Sequence, residues 1–196
     1  PSKSPRFTAQ TTSWKALDWD SVTWEGFEGE PEIQIKNHQI YLIPHKRYVA
    51  DYDVTLLNPL WVAHISTKES ALNTAKRPNS NPDWKRPGGF TPDRFLKQLG
   101  QTKGIPYTTD DDFTGSKYSR GHMAPNAEMK GFDQDSQTES FYLCNVVPQL
   151  QDHNGGIWAA LEADCLKWAK AFGKVYVITG SVFKDVDHPT KLTKGK

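Results

Sequence analysis

Residues 118–129 read "YSRGHMAPNAEM", with Arg120 and His122 on either side of a glycine. The stretch follows a loop that contains Asp110, Asp111, Asp112 and Gly115. Two readings are open from it alone. It is a surface turn with polar side chains, or a catalytic base beside an anion clamp. Arginine and histidine are both ordinary surface residues, so the rest of the chain has to decide.

Outward from this point, a chain of 196 residues suits one full-sized domain with a sizeable core better than two small ones. Seven Trp, seven Tyr and nine Phe supply that core. No run approaches the roughly 18 consecutive apolar residues of a membrane helix. The formal charge of +1 argues against a general polyanion binder. The basic residues are nonetheless concentrated. Lys76, Arg77, Lys85, Arg86, Arg94, Lys97 and Lys103 face only Asp83 and Asp93 over residues 76–103. Cys144 and Cys165 are too few for a disulfide framework. They could pair with each other, but with Cys165 on the expected buried side of a helix two reduced, packed thiols are the preferred reading, and the redox compartment is not readable. A zinc site lacks support in the sequence, because the cysteines lie 21 residues apart and no histidines cluster with them. The chain starts at Pro1 without an initiator Met or an apolar signal segment, which is read as removal of preceding residues.

Residues 1–30 are read as an irregular N-terminal arm, its Trp14, Trp19 and Trp24 pinning it to the body, and residues 31–196 as the domain. "EIQIKNHQIYLI" (residues 32–43) predicts a hairpin turning at Lys36, Asn37 and His38. "YVADYDVTLLNPLWVAHIS" (residues 48–66) continues with strand-like pieces, and Pro- and Gly-rich residues 77–91 read as a long loop. Thr91 or Asp93 is placed to cap a short helix through Leu99, with loop again over residues 100–118. "SFYLCNVVPQ" (residues 140–149) reads as a strand closed near Pro148. Residues 154–172 give the strongest helical signal, with Ile157, Leu161, Cys165, Trp168 and Phe172 as the core-facing stripe. Gly173 ends it and "KVYVITG" (residues 174–180) begins a strand. This order predicts an α+β fold with helices packed on a mainly antiparallel sheet.

Asn154, Trp158 and Glu162 follow at four-residue spacing beside that stripe, with Asn145 and Gln149 just before them. An amide at a helix start is ordinarily a cap. The set also suits phosphodiester hydrolysis, which needs a base for water, positive charge for the phosphorane and stabilisation of the leaving oxygen. Imidazole, the arginine fork and a hard ion on oxygen ligands supply these in turn.

Taken jointly, "NPLWVAH", Arg86 followed by Phe90 and Asp93, "YSRGHMAPNAEM", "FYLCNVVPQ", "HNGGIWAALE" and "VYVITG" resemble the DNA/RNA non-specific endonucleases. These are the ββα-metal (His-Me finger) nucleases that include the mitochondrial endonuclease G type and secreted bacterial nucleases. The likeness runs from about residue 41 to residue 183. It implies a Mg²⁺-dependent (Mn²⁺ substituting) endonuclease acting on DNA and RNA and leaving 5′-phosphates. In that family pattern His122 is the general base and Asn154 the direct metal ligand. Glu162 reaches the ion through water, Arg120 and Arg86 neutralise the phosphate, and Asn145 holds the frame. Arg86 is preferred to Arg77 for its spacing to Phe90 and Asp93. Ser119 departs from the Asp that many relatives carry before Arg-Gly-His, which changes the charge near His122. The three consecutive aspartates are read as solvating their loop. The chain ends soon after Phe183 where relatives continue. That implies an absent C-terminal part, or a homodimer or additional chain completing the domain. The expected location is secreted or periplasmic, ahead of mitochondrial. The competing reading is a catalytically impaired nucleic-acid-binding module, against which the retained His122, Asn154 and Glu162 count. A structural interaction domain has only the Trp-rich arm in its favour.

Overall fold

The alternation in residues 48–66 becomes the middle of a sheet. The computed structural model describes residues 35–77 and 84–192. Strands β1 (Ile40–Pro44), β2 (Tyr48–Asp53), β3 (Asn58–Thr67) and, far along the chain, β6 (Lys174–Gly180) form one antiparallel sheet in the order β1-β2-β3-β6. β2 is buried along its whole length and β3 up to its last residue. Both faces are therefore covered, which explains why the polar-apolar alternation in these two strands is imperfect. On one face Tyr48, Ala50 and Val62 pack with Met123, Ala124 and Met129, and Tyr52 packs with Leu96 and Leu99. On the other, Val49, Trp61 and Ala63 meet Leu42 and Phe183.

A smaller antiparallel pair, β4 (Ser119–His122) and β5 (Val146–Gln149), stands apart from the sheet. A single helical turn, α5 (Gln151–His153), a wide π-type turn over Asn154–Trp158 and the long helix α6 (Ala159–Phe172) follow directly. Strand, strand and helix make a ββα unit. Between β3 and β5 the chain forms α1 (Lys68–Lys76), α2 (Arg94–Lys103), α3 (Asn126–Lys130) and α4 (Gln134–Ser140). The mixed α+β architecture is as expected. Among the described residues no helix is long and apolar enough to cross a membrane.

Several local expectations change. The turn at residues 36–37 is present, but β1 pairs forward onto β2, and the first arm of the expected hairpin (residues 32–34) lies outside the described residues, as does the tryptophan arm. Asp93 caps α2, which runs on to Lys103 and stops at Gly104 in the left-handed conformation, so the loop expected from residue 100 starts four residues later. The expected strand at residues 140–149 shrinks to its last four residues. Its first half closes α4 and forms a 3₁₀ turn at Leu143–Asn145.

The largest correction concerns α6. Cys165 and Ala169 are buried, and Trp158 and Glu162 lie half-buried in line with them. Ile157 and Phe172 are 72% and 78% exposed, with Leu161 and Trp168 also outward. The buried line thus runs 158-162-165-169, rotated from the stripe of largest apolar residues. Small side chains at 165 and 169 let α6 approach α1 and the sheet, and Glu162 is turned toward Trp158, Glu128 and His64. Gly173 (φ 90°) ends the helix as expected.

Candidate active site

Strand geometry puts Arg120 and His122 on one side of β4 and Ser119 and Gly121 on the other. The glycine has a steric reason: a Cβ at residue 121 would collide with the Gln149 side chain lying across the strand. Ser119 bonds the Gln151 side chain, tying β4 to the turn that leads to Asn154.

The His122 ring packs between Phe90, 5.1 Å away, and Phe141, 5.0 Å away and edge-on. Its Nε2 is enclosed with no hydrogen-bond partner among the described residues. Desolvation, and after it the nearby Arg86 guanidinium, hold the imidazole down to about 4. The ring is therefore neutral at neutral pH and has a free lone pair for a proton.

Arg86 is exposed and sits 5.2 Å from the centre of the Phe141 ring, the same ring that walls His122. Lys130 adds to this positive field; burial and then Arg86 push its pKa down. Arg77 has a different duty. It donates to the carbonyls of Lys130 (2.8 Å) and Phe132 (3.0 Å) and stacks 4.4 Å over Trp84, so it is a tether for the end of α3 and not a bystander on the surface. Arg120 is also engaged: Nε donates to Asp110 Oδ1 at 2.5 Å and a terminal nitrogen donates to the Asp110 carbonyl at 2.9 Å. Asp110 thus does more than solvate its loop. The pair is partly exposed, so it is weakly held, and an incoming phosphate can compete for the fork.

Asn145 is fully buried and spends its whole amide on the frame. Oδ1 accepts from Ala124 N (2.8 Å), and Nδ2 donates to the carbonyls of Ala124 (3.0 Å) and Ser140 (2.9 Å). Its own carbonyl accepts from Met123 N at 2.9 Å. The residue next to the base is clamped from both sides, and both amide atoms are engaged in the frame.

Asn154 opens the π-type turn, and its side chain makes no hydrogen bond to the described residues, capping ones included. The non-helical Gly156 (φ −102°, ψ −106°) breaks the straight four-residue ladder expected from Asn154 to Trp158. From Trp158 to Glu162 the ladder holds. The Trp158 indole donates to the His122 carbonyl at 3.2 Å and acts on the nearby Glu162 carboxylate to favour its charged form. Burial, then the charge of Glu128, raise Glu162 to about 7 against the opposing effects of Trp158 and His64. Glu128 lies completely buried beneath it, held by His64 Nε2 at 2.9 Å and the Ser66 hydroxyl. Glu128 and Lys130 both fall in or beside the Arg-Gly-His stretch, and only their burial marks them.

Two donor sets could hold a cation. Asn154 and Glu162 offer hard oxygens on one stretch of helix. His45, Asp93 and Cys144, all buried, form a second cluster compatible with a divalent metal, their ligand atoms lying within 4.8 Å of one another. No local pattern points to such a site, because the three residues come from distant segments. Tyr142 faces His45 while the preceding Phe141 faces His122, so the two sets lie on opposite sides of this chain segment.

With this geometry in view, residues 32–195 match the model of the DNA/RNA non-specific endonucleases. The chain belongs to that family. It is 32% identical over 140 residues to the mitochondrial nuclease EXOG of Danio rerio, covering 71% of this chain and 36% of that protein. It is 31% identical to the mitochondrial nuclease 1 of Schizosaccharomyces pombe, covering 93% and 52%. A solved structure of the EndoG/EndoGI complex, a study of EndoG inhibition, matches with a TM-score of 0.61 and 28% identity over 84% of this chain and 61% of that one. The fold is accordingly that of the ββα-metal nucleases. The chain spans about a third to a half of the length of these curated relatives. The expectation of a secreted or periplasmic location is overturned, since the EXOG proteins of four vertebrates and the fission-yeast nuclease are all named as mitochondrial.

Proposed function

We propose that this family member is a Mg²⁺-dependent endonuclease that hydrolyses DNA and RNA with little sequence preference. The observation that carries the reading is the neutral His122 beside Arg86 and on the strand that abuts the Asn154–Glu162 helix. His122 takes one proton from a water whose oxygen attacks phosphorus. The bond from phosphorus to the 3′-oxygen breaks and that oxygen takes a proton from solvent water, leaving a 5′-phosphate and a 3′-hydroxyl. The incoming phosphodiester opposes the field of Arg86 at the imidazole and so raises its basicity as substrate binds. Arg86, and Arg120 once released from Asp110, stabilise the charge gathered on the phosphorane oxygens.

Asn154 would hold the ion directly and Glu162 through water. Held there, Mg²⁺ would supply Lewis-acid stabilisation of the departing oxygen, and Mn²⁺ would be able to substitute. These oxygen donors fit a hard cation, and the unspent Asn154 amide supports the assignment. The complete set of base, arginines and hard donors favours turnover over a catalytically impaired binding module.

The test is incubation of the folded chain with supercoiled plasmid and with RNA, in Mg²⁺, in Mn²⁺ and in chelator. Degradation of both polymers with either metal, and none in chelator, is expected. Intact substrates in all conditions would refute the reading. We assign the protein to the mitochondrion by its relatives, and fractionation of cells expressing the natural full-length protein tests this. The domain is taken as residues 31–196. A second copy is its expected partner, seated on the exposed apolar side of α6 and the outer edge of β6. Light scattering of a strictly monomeric chain would rule the dimer out.

A further inference from the structure

His45 lies in the turn between β1 and β2, Asp93 caps α2, and Cys144 sits in the 3₁₀ turn before β5. Their atoms converge in an unusual way. Asp93 Oδ2 is 3.4 Å from His45 Nε2, and Cys144 Sγ is 3.3 Å from the same nitrogen. An imidazole nitrogen carries at most one proton, so it cannot serve both neighbours with a full hydrogen bond. This is not the arrangement of a Cys-His-acid relay, which uses the two ring nitrogens in turn: the acid beside the other nitrogen, Glu139, stands 4.0 Å from Nδ1, beyond hydrogen-bond reach. Cys144 is also 0% exposed, beyond the reach of a substrate.

A cation at the centre serves all three at once. Around a tetrahedral zinc with ordinary bond lengths, neighbouring N, O and S donors stand about 3.3–3.6 Å apart. The spacing to His45 Nε2 has that size. Asp93 spends Oδ1 on Leu96 N (3.0 Å), which fixes the carboxylate and leaves Oδ2 as the donor. The Tyr48 hydroxyl lies 3.8 Å from Sγ but donates to the Glu139 carbonyl at 2.8 Å, so the protein supplies three ligands.

We propose that His45, Asp93 and Cys144 form a second, structural metal site for a zinc-class transition ion, separate from the hard-cation site at Asn154. A thiolate and an imidazole select against Mg²⁺. The position also gives the site a purpose. Asp93 follows Phe90 by three residues and Cys144 follows Phe141 by three, and Phe90 and Phe141 are the two walls of His122. Thr91 already joins these segments, its N–H donating to the Phe141 carbonyl (3.1 Å) and its carbonyl accepting from Leu143 N (2.9 Å). The ion fastens them one turn further on and braces the pocket of the base.

The experiment uses the chelator-stripped chain in saturating Mg²⁺, titrated with Co²⁺ and with Zn²⁺. One equivalent of Co²⁺ should bind with a thiolate-to-cobalt band in the near ultraviolet. Zn²⁺ at 100 times its Kd should raise Tm by roughly 5–10 °C. Cys144→Ser keeps the packing, and should lose the band and weaken binding at least tenfold; Asn154→Ala should keep both. Absence of a thiolate band in the wild type overturns the proposal. So does a band that survives Cys144→Ser, which points to Cys165, or one lost in Asn154→Ala, which leaves only the nuclease site. None of these readouts involves cleavage, so the site and the nuclease assignment fail or stand independently.

Discussion

Asn145→Ala is the sharpest probe of the frame around His122. The substitution removes three buried hydrogen bonds at 2.8, 2.9 and 3.0 Å and leaves the Ala124 N–H and the Ala124 and Ser140 carbonyls without them. A buried orphan of this kind costs about 1–3 kcal/mol. Carbonyls keep a second lone pair and are the cheaper losses, so the total is about 3–5 kcal/mol. For a chain of this size each kcal/mol moves Tm by roughly 2–4 °C, which predicts a fall of roughly 6–20 °C. Thermal unfolding followed by far-ultraviolet circular dichroism measures it directly. A change of no more than about 2 °C would show that the amide does not hold the segment, and the argument for a clamped base would fail with it.

Two further perturbations separate neighbouring roles. In metal-free protein, NMR titration should place His122 near pH 4, and Arg86→Ala should move its midpoint upward while leaving it below 6.5, because burial is the larger cause and remains. The sign for stability follows: the unfolded chain takes up a proton at His122 as pH falls from about 6.5 toward 4 while the folded ring does not, so stability is lost through that window. An unmoved midpoint in Arg86→Ala would remove the guanidinium from the site. Arg77→Ala should lower Tm by several degrees through loss of two carbonyl bonds and the Trp84 stack, with kcat at low temperature within about threefold of wild type. A collapsed kcat in a stably folded Arg77→Ala protein would mean that the wrong arginine has been placed at the phosphate.

The strands were legible in the sequence because their pattern has period two and needs no partner to be seen. The sheet order was harder, since β6 joins β3 across more than a hundred residues. The short helices α1, α3 and α4 carry too little apolar periodicity to stand out, and their boundaries rest on caps such as Thr67 and Asp133. In α6 the largest apolar residues pointed to the wrong face. Close helix packing selected Cys165 and Ala169, and Glu162 lies on the same side, toward Trp158 and Glu128. The Arg-Gly-His triplet and the amides could be found from their joint spacing. The Asp110–Arg120 pair, Glu128 under Glu162 and the convergence of His45, Asp93 and Cys144 are products of tertiary contact. Residues 45, 93 and 144 share no local pattern that a sequence window could detect.

Single-turnover cleavage of a short duplex in saturating Mg²⁺, comparing wild type with His122→Ala, tests the central claim most directly. If His122 takes the proton from the attacking water, the rate should fall about 10²-fold or more while the Kd for the duplex stays within a few-fold. A His122→Ala protein that is folded, binds the duplex and cleaves it within about threefold of the wild-type rate would contradict the account.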